Sequence, residues 1–187
     1  MLSCLLGAAA PAAGQLHDGR WDARLHRQEG SVELRPAGKK TFAKTETGAP
    51  LHEGDAVRVG AAGWAELAFG ASSVVHLRAG TLFVLKSLEP GGTRVNLESG
   101  TLLQKLKSVV QLAEELKLPV RWEVATPHVL VAVRGTEFGV EVSSAGVRTT
   151  AGVFDEGELE LLGAAAGGGR TALKPGEEAD ASAGASP

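Results

Sequence analysis

Five histidines, a lone cysteine and a knot of carboxylates are the side chains of this sequence with the reach to do chemistry. His17, His26, His52, His76 and His128 stand far apart, with no spacing that would place two imidazoles on one metal ion. Cys4 is alone, which excludes an intrachain disulfide and a thiolate zinc site. Asp155, Glu156, Glu158 and Glu160 crowd into "FDEGELELL". On a strand, Glu158 and Glu160 share one side and Leu159 and Leu161 the other, which is a solvated row rather than an acid–base pair. Calcium at the Asp155-Glu156 turn would lack enough fixed oxygen ligands. No nucleophile elbow, Walker loop or dinucleotide loop opens a helix. "AAAGGGR" (164–170) has the glycines of a phosphate loop without its lysine and hydroxyl, and reads as a linker. The expectation is a chain that is not an enzyme, with no catalytic residue, no metal site and no cofactor.

The polar residue that demands an account is Arg134, in "ATPHVLVAVRGTEFGVEV" (125–142). Val129, Val131 and Val133 fall on one side of a strand and Leu130 and Ala132 on the other, the pattern of a strand covered on both faces. A guanidinium beside such a core must satisfy its donors. Arg134 is therefore expected to clamp a turn to a carboxylate, with Asp55 and Glu137 as leading partners. A ligand-binding Arg134 is the alternative. Trp64 and Trp122 would offer a stacking platform for a sugar if exposed and adjacent.

The elements that must position these residues are strands. "SVELRP", "DAVRVG", "WAELAFG", "SVVHLRAG", "TLFVLKSL", "TRVNLESG", "VRWEVA", "VLVAVRG", "EFGVEV" and "ELELLG" alternate with period two between Gly, Pro and Ser breaks. About ten short strands predict an all-β domain, an antiparallel meander or sandwich or a short solenoid. With apolar residues at 43%, aromatics at 4% and no tyrosine, the core must be Val, Leu and Ala. "QKLKSVVQLAEELKLP" breaks the period and predicts one short helix over 106–117, stopped by Pro119. A net charge of −3 excludes a basic field for nucleic acid. No stretch reaches the ~20 apolar residues of a membrane span. Residues 1–14 read as a truncated signal peptide, with Cys4 giving a lipoprotein signal as the alternative. Residues 15–29 read as irregular, 30–179 as the domain and 180–187 as a disordered tail.

The stretch 125–142 also resembles the signature of the FecR family, through Thr126-Pro127, Val133-Arg134-Gly135-Thr136 and Phe138. Gly48 to Asp55, with Gly54-Asp55 at its end, resembles the family's Gly-Asp turn, and "GWAELAFGASSVVHLRAGT" its following hairpin. The resemblance covers roughly residues 30–179. It implies an extracytoplasmic β-rich module of the periplasm or cell envelope, in a family best known for regulators of iron-siderophore uptake. The implied partner is an envelope protein, with peptidoglycan or carbohydrate as the alternative ligand. The sequence departs from the regulators' plan in showing no cytoplasmic domain, and resembles the free-standing exported form.

Overall fold

A computed structural model describes residues 22–70, 73–89, 92–106, 121–134, 137–163 and 169–182. Sixteen strands follow in order: β1 (Ala23–Glu29), β2 (Val32–Arg35), β3 (Ala43–Lys44), β4 (Pro50–Leu51), β5 (Ala56–Val59), β6 (Trp64–Phe69), β7 (Ser73–Leu77) and β8 (Leu82–Ser87). Then come β9 (Thr93–Leu106), β10 (Trp122–Ala125), β11 (Val129–Val133), β12 (Glu137–Val142), β13 (Arg148–Val153), β14 (Leu159–Gly163), β15 (Arg170–Leu173) and β16 (Glu178–Ser182). The all-β expectation holds. The extra strands are β1, β3, β4, β13, β15 and β16.

Alternation places the core. In β6 the residues Ala65, Leu67 and Phe69 are buried while their neighbours are half-buried, and β11 buries Val129, Val131 and Val133 in the same way. The inward faces form two layers. One runs β4-β1-β6-β7-β9-β12-β13-β16 and the other β3-β2-β5-β8-β9-β10-β11-β14-β15. The chain lays one or two strands on one layer and then crosses to the other, so the layers grow together. Phe69 of the first layer meets the Trp122 ring edge-on at 4.9 Å and Phe83 at 6.5 Å, both from the second. Such contacts add about 0.5–1.5 kcal/mol each beyond the area they bury.

One strand belongs to both layers. Residues 93–99 of β9 pair with β8 and β10, and residues 100–106 pair with β7 and β12. The change of layer falls at Gly100, whose φ is +85°. A Cβ there would lie 2.5 Å from the Thr81 Cα and Oγ1. Thr81 is wholly buried; its hydroxyl donates to the Thr101 carbonyl at 3.2 Å and accepts the Thr101 N–H at 3.1 Å. Glycine is required there by both conformation and space.

Several expectations change. Residues 23–29, expected irregular, form β1, and residues 180–182, expected disordered, complete β16. Arg170, read as part of a linker, opens β15. β11 is covered on one face only, since Leu130 and Ala132 are half-buried on the outer side. Leu106 ends β9, and the rest of the expected helix, 107–117, lies outside the described residues. Among the described residues β9 and β10 form the one parallel pair, which needs a connection of about a dozen residues or more, and residues 107–121 lie between the two strands.

Replacing Gly100 with Ala is expected to lower the unfolding free energy by about 2–4 kcal/mol, from backbone strain plus overpacking against Thr81. Urea unfolding followed by circular dichroism measures it, and a loss under about 0.5 kcal/mol would contradict the account of the bend.

Candidate functional site

The residues that resemble a family signature are mostly occupied in building turns. Asp55, 4% exposed, follows the Gly54 turn. Its Oδ1 accepts the Ala37 N–H at 2.8 Å and its Oδ2 the His52 N–H at 2.9 Å. Gly54 donates its N–H to Leu85 and Asp55 accepts the Leu85 N–H, so one turn fastens the end of β8. Charge-assisted bonds from a buried carboxylate to two backbone N–H groups are strong, and their loss strands those donors.

Thr126 does comparable work at the β10–β11 loop. Its hydroxyl donates to the Val129 carbonyl at 3.0 Å and accepts N–H groups of His128 and Val129 at 3.2 and 3.1 Å. Thr149, buried on β13 in the opposite layer, donates its hydroxyl to Thr126 at 3.0 Å and meets the His128 Nδ1 at 2.9 Å. These side chains close one end of the sandwich. Pro127 is exposed at the loop's crest, while Val133 and Phe138 are buried in the core. Gly135 and Thr136 lie outside the described residues.

Arg134 is the exception. It is exposed, and neither expected carboxylate holds it: Asp55 serves the turn above, and Glu137 pairs with Lys105 at 3.4 Å. The clamp expectation is therefore corrected. With Val133 facing inward, the pleat turns the next residue outward. The Arg134 N–H joins the ladder by donating to the Glu158 carbonyl at 2.9 Å. Its side chain lines a cleft of about 410 Å³ on the outer face of β10, β11 and β14. Ala132 leaves room at the floor, between Glu123 on one side and Glu160 on the other. Glu123 takes Arg94 Nε at 2.7 Å, and Glu160 pairs with Arg170. Sequence reasoning missed Arg94, Arg121, Glu123 and Arg170; the signal was that Arg134 shares the parity of Leu130 and Ala132, not of the valines.

The tryptophans do not form a platform. Trp122 is 2% exposed and packed on Phe69, whereas Trp64 lies on the outer face of the other layer. The Trp64 ring stacks on His76 at 5.5 Å, and its Nε1 donates to Glu29 at 2.9 Å. His76 sits 3.9 Å from Glu66 in a second groove of about 320 Å³ beside Val74, Leu103 and Phe154. Glu66 there also faces Arg27 at 3.9 Å. Among the described residues no group of three or more His, Cys, Asp and Glu could hold a metal ion.

Two substitutions separate scaffold from surface. Asp55→Ala is expected to cost about 2–4 kcal/mol, because two backbone donors lose a buried acceptor. Arg134→Ala is expected to change stability by no more than about 0.5 kcal/mol, as for an exposed side chain with no ion-pair partner among the described residues. Paired thermal melts check both, and a large loss for Arg134→Ala would restore the clamp.

Comparison with known proteins adds the family. No curated protein matches the chain in sequence. Two crystal structures of a protein from Parabacteroides distasonis, provisionally assigned as an anti-sigma factor, share the fold. They align with TM-scores of 0.56 and 0.55 at 18% and 17% identity, over 71% of this chain. The chain spans 56% and 57% of the length of those structures. In sequence, the family described as FecR protein matches residues 55–157, from the buried Asp55 to the turn before β14. As that match takes in more than half of its residues, the chain belongs to the FecR family.

Proposed function

We propose that this chain is an exported protein-interaction module of the bacterial cell envelope, serving a signalling or regulatory assembly through binding rather than catalysis. The observation that carries the reading is the FecR match over the body of the sandwich. The fold shared with structures provisionally assigned as anti-sigma factors supports a regulatory setting. Residues 1–14 would serve as the export leader, in keeping with an envelope location. Among the described residues no helix is long and apolar enough to cross a membrane.

The physical arrangement agrees with a binding role. Asp55, Thr126, Val133 and Phe138 are used inside the scaffold or in its turns, so they fix a rigid body rather than a reacting centre. What remains for recognition is the outer face of each layer. Sugar stacking on paired tryptophans has no basis here, because Trp122 is in the core.

In-cell crosslinking in the source bacterium, followed by fractionation, tests the reading. The expected result is the chain in the envelope fraction, joined to a defined envelope protein. A cytosolic chain, or one retained on purified peptidoglycan with no protein adduct, would overturn it.

A further inference from the structure

We propose that the cleft beside Arg134 binds an acidic peptide segment of a partner protein, whose carboxylates are gripped by Arg121 and Arg134. The proposal rests on the protein-interaction reading above and gives that interaction a place and a chemistry.

The argument begins with charge. Within the cleft Glu123 and Glu160 are already neutralised, by Arg94 and Arg170 respectively. Those two carboxylate side chains are only 18% and 13% exposed, so the pairs are built into the wall. Arg121 and Arg134 remain. Each lies one step beyond the inward pair Trp122–Val133, so the pleat presents both to the outer face, and both line the cleft. Both are exposed, and among the described residues neither guanidinium has an ion-pair partner. Like charges facing each other across neighbouring strands destabilise a sheet. A carboxylate placed between them removes that repulsion and accepts paired N–H bonds from guanidinium forks.

Geometry favours a peptide over other anions. A smaller hollow of about 160 Å³ beside Ser87, Gly92 and Thr93 shares Arg121 and Glu123 with the cleft. An extended segment fits such a path, and Ala132 and Leu162 give it an apolar floor. A long polyanion such as a nucleic acid or an anionic lipid surface would meet a chain whose net charge is −3. A short acidic segment engages only the two arginines.

Selection of phage-displayed heptapeptides on the immobilised full chain tests the proposal, with Arg121→Gln/Arg134→Gln as the variant. Lys44→Gln/Arg148→Gln, exposed positions away from the cleft, supplies the same loss of charge as a control. The expected result is a selected set rich in Asp and Glu. A synthetic member of it should bind roughly tenfold or more weakly to the cleft variant, near normally to the control, and weakly at high salt. Thermal melts of both variants should match the parent. Absence of acidic enrichment, equal loss in both variants, or tighter binding of inorganic phosphate or phosphatidylglycerol vesicles would overturn the proposal. Failure of the broader reading looks different. A cleft variant still crosslinked to the same envelope protein removes the cleft and leaves the reading, whereas acidic peptides bound through these arginines with no envelope protein captured does the reverse.

Discussion

The bend of β9 at Gly100 is the constraint from which the rest of the architecture follows. A single strand of 14 residues gives its first half to one layer and its second half to the other. Backbone hydrogen bonds are therefore continuous around the corner, and the two layers cannot part without breaking a ladder. Thr81 stabilises the corner by answering both the N–H and the carbonyl of Thr101 from a fully buried hydroxyl. Between the layers, Phe69 meets Phe83 and Trp122 in the core.

On this frame, buried polar groups act as fasteners. Asp55 ties the turn before β5 to the start of the loop at Ala37, and Thr126, His128 and Thr149 join the layers at one end. A polar group sealed from water is costly unless bonded, so each such group specifies one arrangement of its loop. These buried fasteners thus explain rigidity, and their bonds leave the outer faces of the layers unused.

Strands with clean alternation were legible in the sequence, because β6, β7, β11 and β12 fill most of their inward positions with Val, Leu and Phe. Strands β13 and β16 were not, since Thr149, Ala151 and Ala181 leave Val153 as the one bulky apolar residue among their buried positions, and periodicity of bulky residues does not register that. β1 was hidden by Arg24, His26 and Arg27 and by a register shift between Leu25 and Arg27. The continuity of β9 was hidden by Gly100, which reads locally as a stop. At the candidate site, Arg134 was visible as a residue needing an account, but its setting was not. The residues that frame it come from β10, β14 and β15, and only the pairing of strands brings them together.

The outermost strands carry a consequence for behaviour at high concentration. Strands at the rim of a sheet offer unpaired backbone groups on which a second chain can aggregate. Here β3 and β4, which end the two layers on one side, are two residues long and offer almost no template. On the other side β16 presents Glu178 and Asp180, and β15 is only four residues long. Short and acidic rims oppose edge-to-edge joining, so a molecule whose described residues are mostly strand can remain dispersed.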